Sequence, residues 1–211
     1  MSDLYIMRHG ETPLNNPNDP LYPGEQLRGD TDFPLNDTGK EQAARAGRLL
    51  RNRGIQEIVS SQLQRTMETA GIVRDVLVTP TMSIDSGLDT WSLGLLSGLT
   101  VTPELNTVIQ WYEEHPDERP PGGETYNYSI ARIEKTILRY EDLAAKGSTI
   151  LLVTHGRILY MLEHVRSGRT APITQDGPPP ASVLVITPGQ PGYSVLKMAA
   201  VETIQEDALR A

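Results

Sequence analysis

Short apolar runs alternate with longer amphipathic runs along the chain, and this alternation restricts the possible folds more than any other feature. The apolar runs have strand length and fall at residues 4–7, 55–60, 82–88 and 149–154. Between them, apolar residues recur at helical spacing, as over 105–112. Strands that alternate with helices predict an α/β sandwich with a largely parallel sheet. No internal repeat or long linker divides the sequence, so we expect a single domain over residues 1–211.

Cap signals indicate where the helices begin. Thr38 to Glu41 and Ser61 to Gln64 both have capping-box spacing, which predicts helices from 38 to Gly54 and from 61 to about 76. Further helices are predicted after Thr102, over 125–147 and over 158–165.

Two other segments have a distinct local character. Five prolines interrupt residues 13–34, which predicts a long irregular loop. Long loops inside a compact domain are usually functional or disordered. Residues 182–187 and 193–198 are expected to form a hairpin.

Composition excludes several classes of partner and site. The chain has no cysteine, which excludes disulfides and thiolate metal sites. Its net charge is −8 and no basic stripe is present, so we expect no nucleic-acid partner. We expect no membrane partner, because no run approaches about 18 apolar residues. The first residues are too short and too charged for a signal peptide, which predicts a cytoplasmic protein. Oligomers are possible, but the sequence does not specify them.

Two of the predicted strands end in His-Gly. His9-Gly10 follows the first strand and His155-Gly156 follows the strand at 149–154. In open α/β sheets, ligands bind outside the carboxyl ends of the strands, where these histidines can converge on one ligand. Each glycine also permits the close backbone approach that phosphate binding often needs.

Two arginines make phosphate the favoured ligand. Arg8 precedes His9 and offers a planar fork of donors, and Arg65 lies one turn into the helix predicted after residue 60. A zinc site is the other use of paired histidines, but no close pair of ligands is present and Arg8 would repel a metal ion. A single histidine at a strand end is also often structural. His115 and His164 lie within helical patterns, and we interpret both as structural residues.

In these residues the sequence resembles the histidine phosphatase superfamily, in its phosphoglycerate mutase-like branch. The segments that carry the resemblance are MRHGET at 7–12, Asn15, the stretch at 28–43, SSQLQRTMETA at 60–70, PGGET at 121–125 and LLVTHG at 151–156. Together they extend from residue 4 to about 165, in the order and with the spacing of the family.

The resemblance implies a fold and a set of roles. The fold would be a three-layer αβα sandwich with a mostly parallel central sheet. His9 would be the nucleophile and carry a phosphohistidine, while Arg8, Arg65 and His155 would clamp the phosphoryl oxygens and Asn15 would assist. The resemblance also implies no metal and no organic cofactor.

The chemistry of these side chains agrees with a metal-independent phosphomonoester hydrolase. Phosphoryl transfer requires positive groups around three equatorial oxygens, which two arginines and a cationic His155 could supply. A neutral His9 could attack in line, provided that its other ring nitrogen has an acceptor. The expected partner is a small phosphorylated substrate, bound near Gly10, Asn15 and Gly156.

The sequence departs from the family at the proton donor. The family places a glutamate in the segment that corresponds to residues 88–98, and Thr90 occupies its position here. Asp89 is adjacent but would point the opposite way along an extended segment, where we expect it to contribute to substrate binding. We predict that Glu124 donates the proton instead, because Gly122 and Gly123 give the backbone freedom to aim it inward. Its alternative role is a capping carboxylate at the start of the next helix.

Two further departures affect the choice of reaction. The adjacent arginine pair of the glycolytic mutases is absent, since residues 99–121 contain only Arg119. Arg157 follows the second His-Gly, where it either adds a cation near the phosphate or points to solvent. We therefore favour a phosphatase, with a phosphoglycerate-type mutase and a phosphate-ester binding module of weakened catalysis as the alternatives.

Overall fold

The computed structural model describes residues 2–78, 80–166, 178–188 and 194–196. The strands in this part of the chain are β1 Leu4–Arg8, β2 Glu57–Ser60, β3 Thr81–Ile84, β4 Ile150–Thr154, β5 Val183–Ile186 and β6 Ser194–Leu196. The helices are α1 Asp37–Leu50, α2 Gln64–Leu77, α3 Pro103–Glu114, α4 Tyr126–Ala145 and α5 Gly156–Arg166. Strands and helices therefore alternate through most of the chain, as the apolar pattern predicts.

The strands form one mostly parallel sheet in the order β3-β2-β4-β1-β5-β6. Strands β3, β2, β4 and β1 run parallel, β5 pairs antiparallel with β1, and β6 pairs antiparallel with β5 as the predicted hairpin. In the register of the central pair, Arg8 lies opposite Thr154. The residues that follow these two strands therefore emerge side by side at the carboxyl edge of the sheet.

Alternating side chains of β1 reach opposite faces of the sheet. Leu4 and Ile6 join a buried cluster with residues of α4 and α5, whereas Tyr5 and Met7 join a second cluster with residues of α1 and α2. Full burial of one such side chain contributes roughly 1.5–3 kcal/mol. Because helices cover both faces, the predicted three-layer αβα sandwich is confirmed.

The capping residue predicted for α1, Thr38, was wrong. The cap is Asn36, whose Oδ1 accepts a hydrogen bond from the backbone N–H of Gly39 at 2.8 Å. Thr38 lies inside the first turn instead. Asparagine is at least as good an N-cap as threonine, so the earlier residue sets the boundary.

The start of α2 also differs from the predicted capping box. The helix begins at Gln64 after Leu63, which provides no side-chain cap. The hydroxyl of Ser61 is not a cap for this helix but bonds to Thr66 and His155. Strand β3 is shorter than predicted, because Asp85 caps a 3₁₀ turn at Ser86–Leu88.

The loop at 13–34 is irregular, as predicted, but part of it is anchored. Gln26 forms an isolated antiparallel bridge with Thr100, and Leu27 N–H donates to the carbonyl of Leu99 at 2.9 Å. Val101 N–H donates to the carbonyl of Glu25 at 2.8 Å. These bonds attach residues 25–27 to the segment at 98–101.

Candidate active site

The register of the sheet brings the two predicted histidines together. The ring centroids of His9 and His155 lie 5.5 Å apart in an edge-on arrangement. Both side chains are buried, with 6% and 3% of their surface exposed. The backbone N–H of His9 donates to the carbonyl of Thr154 at 2.9 Å, which continues the β1–β4 ladder past the strand end.

The backbone fixes the tautomer of His9. The Nδ1 atom of His9 lies 2.7 Å from the carbonyl oxygen of Gly10. Because a carbonyl can only accept, Nδ1 carries the proton and donates it. The lone pair is therefore on Nε2, which is the nitrogen available for nucleophilic attack. No sequence pattern predicts this acceptor.

Gly10 is required by close backbone packing. A Cβ atom at this position would lie 2.4 Å from the carbonyl oxygen of Gly39, closer than any real contact allows. Gly10 N–H donates to Thr69 Oγ1 at 3.0 Å, which ties the loop after β1 to helix α2. Any larger residue would displace the acceptor that orients His9.

The surroundings keep His9 uncharged. Burial lowers the pKa of His9 well below its ordinary value of 6.5, and the positive charges of Arg65 and Arg8 lower it further. The imidazole is therefore neutral at neutral pH. A neutral ring is the nucleophilic form.

Both predicted arginines line the same cavity and are held by backbone carbonyls. Arg65 in the first turn of α2 donates to Thr31 O at 2.7 Å and to Gly29 O at 3.3 Å. Arg8 donates to Pro178 O at 2.5 Å. Burial lowers the pKa of Arg65 to about 10, so the guanidinium remains charged at neutral pH. These contacts fix the two cations before any ligand arrives.

His155 is neutral in the unliganded site, which differs from the cationic form expected from sequence. Burial lowers its pKa well below 6.5, and the positive charges of Arg65 and Arg8 act in the same direction. Its Nε2 lies 2.8 Å from Ser61 Oγ. Its Nδ1 is buried and has no hydrogen-bond partner among the described residues.

These groups form one end of an open cavity of about 490 Å³. We call this end the floor and define it as Arg8, His9, Arg65 and His155. The remaining lining, which we call the wall, comes mainly from the 12–33 loop and from residues 90–109 and includes Asn15, Tyr22, Glu25, Gln26, Arg28, Phe33, Trp91, Leu93, Val101, Asn106 and Ile109. A cavity of this size accommodates a small organic molecule.

Asn15, Gly156 and Arg157 also line the cavity. Asn15 Oδ1 accepts from the N–H and the hydroxyl of Thr12, at 3.0 and 2.9 Å. This use of the oxygen leaves the amide NH₂ to donate to a ligand. Arg157 forms an ion pair with Glu113 and lies over the ring of Trp91, so it does not simply point to solvent.

The structure places Glu124 away from the cavity. Its carboxylate forms an ion pair with Arg132 at 2.6 Å and accepts from the N–H of Ser92 at 3.1 Å. Both ion-pair side chains are largely buried. Both carboxylate oxygens are engaged by these contacts, so Glu124 is not positioned to give a proton to an ester in the cavity.

Asp89 is also engaged outside the cavity lining. Its Oδ1 accepts from the N–H of Gln62 at 3.0 Å, next to the start of α2. Burial raises the pKa of this carboxyl group, while the Gln62 bond and Arg132 lower it in part. Thr90, at the position where the resemblance implies an acid, lines the cavity.

Sequence reasoning missed two residues of the site. Glu25 is the one carboxylate that lines the cavity among the described residues. Its only sequence signal was its position in the long Pro-rich loop. Ser61 bonds to His155. The sequence does not reveal this contact, because Ser61 to Gln64 also has the spacing of a capping box.

The described residues hold no group of three or more His, Cys, Asp or Glu side chains arranged to bind a metal ion. Within that same part of the chain, none of the helices combines the length and apolar character needed to cross a bilayer.

Comparisons with known proteins agree on one family. The sequence model of the histidine phosphatase superfamily (branch 1) matches residues 4–200. A probable phosphoglycerate mutase, GpmB, of Yersinia pestis is 33% identical over 163 residues, or 75% of this chain and 72% of that protein.

Solved structures share the fold. YhfR of Bacillus stearothermophilus matches with a TM-score of 0.74 and 27% identity, over 93% of this chain and 96% of its own. A mycobacterial glucosyl-3-phosphoglycerate phosphatase matches with a TM-score of 0.69 and 21% identity, over 92% and 97%.

Proposed function

The chain belongs to the histidine phosphatase superfamily, and from this premise we propose that it hydrolyses phosphate monoesters through a phosphohistidine on His9. The observation that carries the proposal is the tautomer of His9. Its Nε2 lone pair lies in a floor that contains two fixed arginines and a second histidine. We propose that no metal ion takes part, since Arg8 and Arg65 supply positive charge where a metal otherwise would.

The reaction proceeds in two displacements. In the first, His9 Nε2 forms a bond to phosphorus while the bond to the ester oxygen breaks, and the leaving alkoxide takes a proton from a general acid. In the second, water gives its proton to the resulting base and attacks phosphorus. The nitrogen–phosphorus bond then breaks, and inorganic phosphate and neutral His9 are released.

The floor stabilises the charge that moves during both steps. Arg8 and Arg65 present guanidinium groups to the equatorial oxygens, and their anchoring to carbonyls means that little reorganisation is needed. A bound phosphate dianion raises the pKa of His155, which allows this residue to become a third cation. Asn15, on the wall, adds an uncharged amide donor to the cavity.

We assign the proton transfer to Glu25. Asp89 and Glu124 are both engaged outside the cavity, and Thr90 cannot donate a proton near neutral pH. Glu25 lines the cavity, and its backbone is held by Val101.

Two substrates with different leaving groups test this assignment. A nitrophenyl phosphate leaves without much help, whereas an alkyl phosphate needs a proton donor. We expect Glu25→Gln to lose alkyl phosphatase activity by about 10²-fold while nitrophenyl phosphatase activity remains. Glu124→Gln is the matched control and should show no such selectivity. Selective loss in Glu124→Gln, or its absence in Glu25→Gln, would refute the assignment.

A phosphoglycerate-type mutase is a second candidate, favoured by the name of the Yersinia pestis relative. A mutase returns the phosphoryl group to a second hydroxyl, whereas a phosphatase gives it to water. The exposed Arg119 does not line the cavity, so the paired arginines of the glycolytic mutases have no counterpart at this position. Measuring free phosphate against isomerised phosphoglycerate separates the two reactions.

The proposed activity is tested with a nitrophenyl phosphate in the presence of excess chelator. We expect nitrophenol and inorganic phosphate in equal amounts, at a rate that the chelator does not change. Loss of activity that returns with a divalent metal would contradict metal independence, and no turnover on any phosphate ester would favour the binding module.

We further propose that the substrate is a small phosphorylated molecule, in keeping with the size of the cavity. The absence of cysteine is compatible with a cytoplasmic location, which we also propose. The family match over residues 4–200 supports a single domain over 1–211.

A further inference from the structure

We propose that Ser61 and Thr66 form a hydroxyl relay that holds His155 in its Nε2–H tautomer and leaves Nδ1 to the phosphoryl group. Ser61 Oγ lies 2.8 Å from His155 Nε2 and 2.7 Å from Thr66 Oγ1. The phosphoryl part of this inference rests on the proposed function, whereas the tautomer does not. Both hydroxyl residues would be positioning residues that act through His155.

The proton positions follow from the acceptors at the end of the relay. Thr66 Oγ1 lies 2.6 Å from Leu63 O and 3.1 Å from Ser61 O, and carbonyl oxygens can only accept. Thr66 therefore donates its single proton to a carbonyl, and its oxygen accepts from Ser61. Ser61 thus donates its single hydroxyl proton to Thr66. Towards His155 the Ser61 oxygen can only accept, so Nε2 carries a proton and donates it.

Burial makes this arrangement rigid. Ser61 and Thr66 have no exposed surface, so water cannot replace a missing partner. Leaving a buried donor or acceptor unpaired is costly, which disfavours the other tautomer. Ser61 N–H also donates to Val153 O at 3.1 Å, which fixes the residue to the edge of the sheet.

The relay has a consequence for the charge of His155. Nε2 is already protonated, so a proton taken up by Nδ1 converts the ring to a cation. Nδ1 is buried and lacks a partner among the described residues, and a bound phosphoryl oxygen would supply one. The proton comes from the monoanionic ester or from solvent. The third positive charge of the floor is therefore present only when substrate is bound.

NMR of ¹⁵N-histidine-labelled protein tests the tautomer without substrate. The one-bond nitrogen–proton coupling and the two nitrogen shifts of His155 report which nitrogen carries the proton, and His155→Gln assigns the signals. We expect Nε2–H in the unchanged protein, a mixed or Nδ1–H ring in Ser61→Ala, and restoration in Ser61→Thr. Ser83→Ala, an exposed serine on β3, is the control. An Nδ1–H ring in the unchanged protein, or a tautomer that Ser61→Ala leaves as it was, overturns the inference.

Kinetics give a second readout on the nitrophenyl ester. We expect Ser61→Ala to lower kcat about tenfold with little change in KM, and Ser61→Thr to recover most of the loss. If Ser61→Ala does not fold, Thr66→Val removes the relay at its other member and is expected to shift the tautomer in the same direction. A protein with no phosphatase activity but the expected tautomer would contradict the proposed function and leave the relay intact.

Discussion

The floor and the wall of the cavity are built in different ways. Floor residues end or directly follow the central strands β1 and β4, or lie in the first turn of α2, and backbone carbonyls or hydroxyls hold their side chains. Among the wall residues, Glu25 lies on a connecting segment and Asn106 lies in the first turn of α3, and both are exposed. The difference indicates that the phosphoryl chemistry is fixed by the sheet, whereas the loops select the leaving group.

This division also predicts where the protein tolerates change. Beside the floor, a Cβ atom on Gly10 would clash with the backbone of Gly39, and one on Gly39 would clash with the backbone of Glu11, so neither position accepts a side chain. At the wall, residues 25–27 are held by a few backbone bonds to the segment at 98–101. Side chains there can be exchanged without disturbing the sheet.

Replacing the floor cation on α2 should have the largest effect. Arg65→Ala is expected to lower kcat/KM by roughly 10- to 150-fold, the loss of one charge-assisted contact. Arg65→Lys should recover only part of the activity, because a point charge cannot replace a bidentate fork. Arg74→Ala on the exposed side of the same helix is the control. Unchanged activity in both Arg65 variants would exclude this residue from the floor.

Glu124 belongs to neither the floor nor the wall, because its carboxylate is paired with Arg132. Glu124→Gln leaves Arg132 without its ionic partner in a largely buried position, so we expect a loss of about 2 kcal/mol in the free energy of unfolding. Urea denaturation measures this loss, and Asp75→Asn on the surface is the control. An unchanged unfolding free energy would show that the ion pair does not contribute to stability.

A pH titration of His9 tests the electrostatics of the floor. Its signal in the unliganded protein should remain that of the neutral ring as the pH falls through 6.5 and should change only at lower pH. Arg65→Gln removes a positive neighbour and should raise the pKa of His9, although burial still keeps it low. Titration of His9 near 6.5 in the unchanged protein would contradict a buried and electropositive floor.

The fold and the floor could be predicted from sequence because both depend on short-range patterns. Strand length and apolar spacing located β1 and β4, and residues that follow parallel strands must meet at one edge of a sheet. His9 and His155 are therefore brought together by register alone. Arg65 followed from its place one turn into a helix.

The wall could not be predicted in the same way. Glu25 lies in a loop without periodicity, and its place on the cavity depends on pairing with residues far along the chain. Glu124 was assigned to the site because of its neighbouring glycines, but Arg132 on α4 holds it elsewhere. Ser61 was missed for a third reason. The spacing from Ser61 to Gln64 predicts a helix cap, whereas the Ser61 hydroxyl contacts His155.

The most direct test of the central claim is to trap the phosphoenzyme. Brief exposure of the protein to a ³²P-labelled phosphate ester, followed by rapid quenching in alkali, should yield acid-labile phosphate in a peptide that contains His9. His9→Ala should give no labelled peptide, while His115→Ala should be labelled like the unchanged protein. Turnover without acid-labile phosphate, or labelling that persists in His9→Ala, would contradict a phosphohistidine on His9.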